Sequence, residues 1–345
     1  MTASVAMTGT RRIVVACPNL ALDRTIAVDE LVPGHVHRAA RSAVVGGGKG
    51  VNVARALAAM GATSRTVVMA GGPTGRQALD LLAAEGLPVV HSACAGDTRS
   101  CLTVLDRATV TVFNEQGPRL EGPEWRRYER EVAAALSPGG LFACSGSLPL
   151  GAPPDAVARL VDLAHEVGCA AACDCSGDFL VNVLTQGPEL VAPNLAEAEA
   201  VLHGGRGEAV EAGPDALARA ADAASRLTAR GAQAAVVTAG AAGVAVASQD
   251  GIERLEAPKV SALNPVGAGD SLVAGVLLGL SRGRSLSESV VLGVAMASAS
   301  CETFVAGALD PARVDKLRPH VLGRGPGRGP RRAGADPSSP PQPPM

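Results

Sequence analysis

Residues 264–271 combine a chain turn, small residues and a carboxylate immediately ahead of an apolar run. Pro265 is excluded from the interior of the helix that the run at 272–278 predicts, so residues 267–269 are expected to form its first turn. The N–H groups of such a turn have no acceptors within the helix, and together with the helix dipole they attract anions. Asp270 is then either an ordinary capping acid of a buried helix or a catalytic base beside an anion-binding turn.

A glycine-rich loop at 46–50 carries a second set of residues suited to ligand binding. It contains Lys49 and is followed by Asn52. The loop lacks both the Gly-x-Gly-x-x-Gly fingerprint of dinucleotide sites and the Gly-x-x-x-x-Gly-Lys-Ser/Thr pattern of a P-loop. Glycines allow the backbone to approach a ligand closely, and a cation with an amide suits a polyol or a phosphate. A turn that merely requires glycines would explain neither Lys49 nor Asn52.

The composition argues against several function classes. The net charge of −2 and the pI near 6.3 give no support for a nucleic-acid or anionic-membrane partner. No apolar run reaches the ~18 residues of a membrane span, and the first residues lack the pattern of a signal peptide. The eight cysteines have no spacing typical of a zinc site, which predicts a reduced, cytoplasmic protein.

Short apolar strands alternate with helices along most of the chain, as at 141–145, 170–174 and 234–238. This alternation predicts an α/β fold with a mostly parallel central sheet covered on both faces. Ligands bind beyond the carboxyl ends of the strands in such a sheet, so polar loops at those ends predict one lined cleft. These loops lie at 19–23, 145–147, 174, 193–194, 238–240 and 264–271.

Three parts of the chain differ in composition. Residues 1–10 are expected to be a flexible extension, residues 11–322 one folded domain, and residues 323–345, rich in Pro, Gly and Arg, a disordered tail. Within the domain, weakly apolar strand patterns at about 24–48 and 88–118 predict a small, half-exposed sheet separate from the large one.

The segments Gly-Gly-Lys-Gly-Val-Asn-Val-Ala at 47–54 and Val-Gly-Ala-Gly-Asp-Ser at 266–271 resemble the two signatures of the ribokinase-like (PfkB) carbohydrate kinases. Their order and separation also fit that family. Segments at 18–23, 98–99, 113–118 and 145–149 resemble its phosphohexose branch, which contains 1-phosphofructokinase, tagatose-6-phosphate kinase and a minor 6-phosphofructokinase. Residues 98–101, 173–177 and 264–267 lean slightly toward the tagatose-6-phosphate kinases. The resemblance implies a ribokinase-like three-layer fold in which the small sheet is a lid.

The same resemblance implies a role for each matching residue in an ATP- and Mg²⁺-dependent phosphorylation of a phosphorylated ketohexose. Asp270 would be the general base, beside an anion hole formed by Gly267, Ala268 and Gly269. The sugar phosphate would be bound by Asp23, Gly48, Lys49, Asn52 and Arg99, with the two cations on its phosphate. ATP would contact Thr238, Gly240, Gly243 and Asn194, and Mg²⁺ would be held through water by Glu197 and Asn194. Two lids would pair in a homodimer.

One departure from the branch concerns Ala192, which stands where the branch usually has a lysine near the nucleotide phosphates. Two alternatives remain beside the phosphohexose kinase, and this departure supports only the second. One is a kinase of an unphosphorylated sugar or a nucleoside, against which Arg99 argues because it would then lack an anionic partner. The other is a non-catalytic sugar-phosphate sensor, against which the presence of Asp270 argues.

Overall fold

The computed structural model describes residues 10–204 and 213–324, which form two β-sheets and the helices that pack on them. Residues 1–9 of the predicted N-terminal extension and residues 325–345 of the predicted tail lie outside the described residues. The strands are β1 (Ile13–Cys17), β2 (Ala21–Ala27), β3 (Arg41–Gly47), β4 (Ser64–Ala70), β5 (Val89–Ala93), β6 (Arg99–Leu105), β7 (Val110–Asn114), β8 (Leu141–Ser145), β9 (Ala170–Asp174), β10 (Leu190–Val191), β11 (Ala235–Thr238), β12 (Val244–Ser248), β13 (Gly251–Glu256) and β14 (Leu322–Arg324).

The helices fall between these strands in the alternation that the sequence predicts. They are α1 (Lys49–Ala59), α2 (Gly72–Ala84), α3 (Gly122–Ala135), α4 (Ala156–Glu166), α5 (Gly177–Leu184), α6 (Leu195–His203), α7 (Ala216–Ala229), α8 (Ala268–Ser281), α9 (Leu286–Ser300) and α10 (Pro311–Leu317). Two short 3₁₀ turns lie at Gly240–Ala242 and Arg318–His320.

The large sheet has ten strands in the order β14-β13-β12-β11-β10-β9-β8-β1-β4-β5. The strands β11, β10, β9, β8, β1, β4 and β5 are parallel to one another. The strands β12, β13 and β14 extend the sheet on the β11 side with antiparallel pairing. Successive side chains of a strand point to opposite faces. In β1, Val14 and Ala16 accordingly belong to a core with α3 to α7, and Ile13 and Val15 belong to a core with α1, α8, α9 and α10. The sheet is therefore covered on both faces, as predicted.

The small sheet has four strands in the order β3-β2-β6-β7. Here the predicted lid boundaries are wrong in one respect. Strand β5, at Val89–Ala93, falls within the lid range 88–118 but pairs in parallel with β4 at the edge of the large sheet. The segment β4-α2-β5 is a compact βαβ unit, and such a unit returns the chain to the neighbouring parallel position of the same sheet.

Helices α8 and α9 pack with their backbones unusually close. A Cβ atom on Gly275 would lie 2.4 Å from the Cα of Gly293, and one on Gly279 would lie 2.3 Å from Oγ of Ser289. The small residues of α8 therefore allow α9 to pack closely against the helix whose first turn contains Asp270.

The carboxyl-terminal end of the described chain forms a strand that the sequence does not predict. In β14, Gly323 pairs with Leu255 of β13, so the backbone stays within the sheet past residue 322, where the predicted tail begins. The pairing uses main-chain groups, which hydropathy patterns do not report. Among the described residues, no helix has the length and apolar character needed to cross a membrane.

Candidate active site

The first turn of α8 is built on a left-handed glycine. Gly267 caps the helix with φ of 85°, and a Cβ there would lie 2.9 Å from the backbone nitrogen of Gly307. Asn264 holds the preceding turn, since its Oδ1 accepts from the N–H of Val266 and its Nδ2 donates to the carbonyl of Phe304. Space beside Gly269 is open, with no atom within 4 Å of a Cβ placed there.

The backbone donors of this turn are only partly free. The N–H of Ala268 donates to the carbonyl of Pro265 over 3.2 Å, so of the three predicted anion-hole residues it is the least available. The next N–H groups, beginning with that of Gly269, have no acceptor within the helix because they belong to its first turn. An anion at this end would meet those donors and the positive end of the helix dipole.

Asp270 lies directly behind these donors and is only 4 % exposed. Its Oδ2 accepts a hydrogen bond of 2.8 Å from Nδ2 of Asn52. Burial and the neighbouring Asp174 carboxylate raise the pKa of Asp270 to about 7, against the opposing effects of Lys49 and Asn52. A carboxyl group with such a pKa is poised to take up and release a proton near neutral pH.

Lys49 connects the glycine-rich loop to the ends of the parallel strands. Its Nζ lies 3.1 Å from Oδ1 of Asp174 and 3.4 Å from Oε1 of Glu197. Burial alone would lower the pKa of Lys49, but the two carboxylates outweigh that effect and the pKa is raised. The ammonium group is thus charged and already paired with acids on the nucleotide side of the predicted cleft.

Asp174 ends β9 and is fixed by a neighbour on β8. Ser145 donates from Oγ to Oδ2 of Asp174 over 2.9 Å, and both side chains are buried. The two strands pair in parallel with these residues in register. The predicted convergence of polar groups at the carboxyl edge of the sheet is therefore present at this point.

Asn194 and Glu197 form the capping box of α6. Oδ1 of Asn194 accepts from the N–H of Glu197 over 2.7 Å, and Oε2 of Glu197 accepts from the N–H of Asn194 over 3.0 Å. Both side chains thus have a structural role in addition to the predicted one at Mg²⁺. Among the described residues, no group of three or more His, Cys, Asp or Glu is arranged to hold a metal ion.

The predicted nucleotide residues lie farther along the same sheet edge. Thr238 ends β11 and forms a bridge with Asn194, and Gly240 opens the 3₁₀ turn that follows. Gly243 is required by packing, because a Cβ there would lie 2.0 Å from the carbonyl oxygen of Leu255. Its presence is explained without a ligand.

The small sheet brings Asp23 and Arg99 to the opposite side of the cleft. Oδ2 of Asp23 accepts from the N–H of Gly48 over 3.3 Å, and burial raises the pKa of this carboxyl group despite that bond. Arg99 donates only to carbonyl oxygens, those of Asn19 and Glu115, each at 3.3 Å. Its Nε is buried without a partner, and no carboxylate of the described chain forms an ion pair with it.

Residues 15–313 match the model of the pfkB family carbohydrate kinases. The protein belongs to this family.

Known relatives of this PfkB kinase cover most of its length. It is 28 % identical to the 1-phosphofructokinase of Bacillus subtilis over 87 % of its own chain and 98 % of that protein. It is 32 % identical to the ATP-dependent 6-phosphofructokinase isozyme 2 of Mycobacterium tuberculosis, over 84 % of each chain. Crystallised phosphofructokinase-2 of Escherichia coli matches with a TM-score of 0.80 at 30 % identity, over 90 % of this chain and 99 % of that one. The α/β ribokinase-like fold and the activity class, a phosphotransferase with an alcohol acceptor, follow from this membership.

Three residues at the site of this PfkB kinase are absent from the set of site residues predicted from sequence. The sequence places Asp174 and Ser145 only in polar loops at strand ends. It does not single out Arg55, although this residue lies one helical turn after Asn52 and donates to its side chain over 3.0 Å. The i, i+3 spacing of an amide and an arginine on a helix that begins at a signature was the available signal.

Proposed function

We propose that this PfkB kinase transfers the γ-phosphoryl group of ATP to a hydroxyl of a phosphorylated ketohexose and so forms a bisphosphate. The candidate acceptors are fructose 1-phosphate, tagatose 6-phosphate and fructose 6-phosphate. The observation that carries the proposal is the buried carboxyl group of Asp270, with a pKa near 7, at the anion-attracting first turn of α8.

Asp270 takes the proton of the attacking hydroxyl in this proposal. Its Oδ2 is occupied by Asn52, and its Oδ1 accepts no hydrogen bond from the described residues, so Oδ1 is the atom available to the acceptor. The first-turn donors, chiefly those of Gly267 and Gly269, face the charge that spreads over the transferring phosphoryl oxygens. Base and anion turn are adjacent in the chain, so the base lies close to the point where the phosphoryl group would be transferred.

Arg99 binds the phosphate that the sugar already carries. Its unpartnered buried Nε supports an anionic ligand, because a buried guanidinium N–H left unpaired is unfavourable. Asp23 and Asn52 would hold sugar hydroxyls nearby. Names of the relatives agree with such a substrate, and the Escherichia coli phosphofructokinase-2 has been crystallised in complex with fructose-6-phosphate.

Lys49 fits the nucleotide side better than the sugar phosphate in this scheme. It is held by Asp174 and Glu197, and Ala192, 7 % exposed at the end of β10, provides no cation there. We therefore assign Lys49 to the phosphoryl group in transfer and leave the substrate phosphate to Arg99. ATP would lie along Asn194, Thr238, Gly240 and Gly243.

Mg²⁺ is compatible with the oxygen donors at this edge. Hard divalent cations prefer carboxylate and water oxygens. Asp174 and Glu197 provide two such carboxylates, and both are paired with the ammonium group of Lys49. Glu197, with Asn194, would hold the ion through water. Its contribution there would be to neutralise charge on the nucleotide phosphates.

A screen of acceptors tests the function directly. ADP release from ATP with Mg²⁺ is measured with the three phosphosugars, and with ribose and adenosine as unphosphorylated acceptors. We expect turnover with at least one phosphosugar at a kcat/KM at least about 100-fold above that for ribose or adenosine. Preference for ribose or adenosine would overturn the substrate assignment, and tight phosphosugar binding without turnover would indicate a sensor.

A further inference from the structure

A chain of buried hydrogen bonds leads from Arg55 to the carboxyl group of Asp270. Arg55 is 8 % exposed, and its Nη1 donates to Oδ1 of Asn52 over 3.0 Å. Nδ2 of Asn52 then donates to Oδ2 of Asp270 over 2.8 Å. The Arg55 side chain touches neither the expected sugar nor the expected nucleotide residues other than Asn52.

The chemistry of the guanidinium group decides which way the Asn52 amide faces. An arginine has only donors, so the atom that meets Nη1 of Arg55 must be the amide oxygen. The amide NH₂ group is thereby directed at Asp270. Without that constraint, the two ends of an asparagine amide are nearly equal in shape, and a carboxyl group that becomes protonated could equally well donate to the oxygen.

Arg55 is itself held on every side by acceptors from separate elements. Glu85, the residue that follows α2, accepts at 2.8 Å from Nε and at 3.2 Å from Nη2. The carbonyl of Gly46 in β3 accepts from Nη2 at 2.6 Å, and the carbonyl of Ala306 accepts from Nη1 at 3.2 Å. A lysine has one nitrogen and cannot serve these sites together.

The loop that contains Ala306 also contacts the anion turn. A Cβ on Gly307 would lie 2.7 Å from the backbone oxygen of Asn52, and Gly267 lies against Gly307 from the other side. Arg55 therefore contacts a loop that packs against both Asn52 and the start of α8. Its position affects both the amide and the turn.

We propose that Arg55 is a positioning residue, which fixes the Asn52 amide with its NH₂ group on Oδ2 of Asp270 and so leaves Oδ1 as the atom that receives the substrate proton. The inference rests on the proposed role of Asp270 as base. It does not depend on which acceptor the enzyme uses, because Arg55 acts on the base through Asn52 and forms no hydrogen bond with Asp23, Lys49 or Arg99.

Arg55→Lys tests this role in the full-length enzyme, with the acceptor that the native protein turns over best. We expect kcat to fall about ten- to a hundredfold, with KM for ATP nearly unchanged, since small misplacements of a catalytic group have effects of this size. The acidic limb of the pH profile should move to higher pH by about half a unit, because the Asn52 donor that lowers the Asp270 pKa is no longer held in place.

Two comparisons separate positioning from a general loss of structure. Arg219→Lys breaks a similar two-pronged ion pair, with Glu199 between α6 and α7, and should leave the pH profile and kcat unchanged. In an Asn52→Leu background, Arg55→Lys should lower kcat by no more than about threefold, because the residue through which it acts is gone. Equal losses in both backgrounds, or an unshifted acidic limb, would overturn the proposal.

Glu85→Ala provides the test if Arg55→Lys does not fold. It removes the acceptor of Arg55 at a partly exposed position and should shift the limb in the same direction by a smaller amount. An unchanged limb in a folded Glu85→Ala protein would also count against the role of Arg55. If Asp270→Asn retained full activity, the base assignment itself would fail, and a preference for ribose in the acceptor screen would overturn only the substrate assignment.

Discussion

The protonation state of one side chain controls the proposed reaction. Asp270 must lose its proton before it can accept one, yet burial and Asp174 favour its neutral form up to about pH 7. Lys49 and Asn52 favour the charged form and prevent a larger shift. The site thus balances a desolvated acid against one cation and one amide donor, which is how a carboxyl group is tuned to serve as a base near neutral pH.

The pH dependence of kcat should reflect this balance. At saturating substrates, we expect activity to rise from pH 6 to pH 8 with a midpoint near 7, because Asp270 acts as a base only when ionised. The phosphate of the sugar titrates about one unit lower, near pH 6, so its contribution can be separated by comparing kcat with kcat/KM. A kcat that is constant from pH 5.5 to 9 would be incompatible with Asp270 as base.

Asp270→Asn should lose activity and gain stability. We expect kcat to fall by orders of magnitude while ATP binding, measured by calorimetry, stays nearly intact. The folded pKa of Asp270 lies above the unfolded value, so the carboxyl group costs stability progressively as pH rises from about 4 to 7. The Asn variant should therefore be about 1–3 kcal/mol more stable at pH 8 and equal to the native protein near pH 4, which denaturant melts at both values would measure.

Arg99→Ala should act mainly on the binding of the phosphosugar. Removal of an ionic partner of a phosphate typically costs about 2 kcal/mol, so KM for the phosphosugar should rise roughly 10- to 100-fold with a smaller change in kcat. Arg65→Ala is the matched control, since Arg65 is an exposed arginine on β4, outside the small sheet. Equal KM values for the native and Arg99→Ala enzymes would mean that the substrate phosphate binds elsewhere.

At the level of elements, the glycines of α8 divide into two kinds. Gly275 is needed for the approach of α9, because a Cβ would collide with the backbone of Gly293. Gly269 has no such neighbour and has an ordinary helical conformation, so the fold alone does not require a glycine there. The open space beside Gly269 can accommodate a phosphoryl group, whereas it contributes nothing to the packing of the helix.

Alanine at these two positions should therefore have opposite effects. Gly275→Ala should destabilise the protein by about 1–3 kcal/mol through overpacking. Gly269→Ala should leave the melting temperature unchanged or slightly higher, since alanine favours helix over glycine, while kcat falls because the methyl group occupies space meant for the phosphoryl group. A Gly269→Ala enzyme with native kcat would remove this residue from the anion hole.

The sequence predicts the elements well where they are buried and periodic. The predicted strands 141–145 and 170–174 have the bounds of β8 and β9, and the predicted strand 234–238 differs from β11 by one residue. Errors arose where long-range pairing decides the outcome. The pattern of strand β5 is typical of an edge strand in either sheet, so the sequence places it in the lid although it pairs with β4. The sequence does not predict β14, because this strand is defined by main-chain pairing with β13 and not by a hydropathy pattern.

The site shows the same division between local pattern and long-range contact. Signature segments located Asp270, Asn52 and Lys49, but their hydrogen bonds could not be predicted. Asn52 and Asp270 are 218 residues apart in the chain, and Lys49 is 125 residues from Asp174. Which acid a lysine meets depends on how the strands are ordered in the sheet, and hydropathy does not specify that order.

At the scale of the whole molecule, the small sheet has two faces with different tasks. Asp23 and Arg99 lie on the face toward the cleft. The opposite face carries a row across all four strands, in which Val44, Arg24, Leu102 and Phe113 are successive partners. Phe113 is 57 % exposed in this row. A large exposed aromatic beside aliphatic neighbours is typical of a surface that contacts another chain.

The proposed homodimer would bury this face, and substitution of Phe113 tests it. We expect the native protein to sediment as a dimer and Phe113→Asp to sediment as a monomer, because a carboxylate placed in an apolar contact loses its hydration. Val112→Asp is the matched control, since Val112 is 39 % exposed but points to the other face of the sheet. It should remain a dimer. A native protein that is monomeric at micromolar concentration, or a Phe113→Asp protein that stays dimeric, would exclude the lid as the interface. Monomers should also show a higher KM for the phosphosugar if the partner lid helps to hold Arg99 over the cleft.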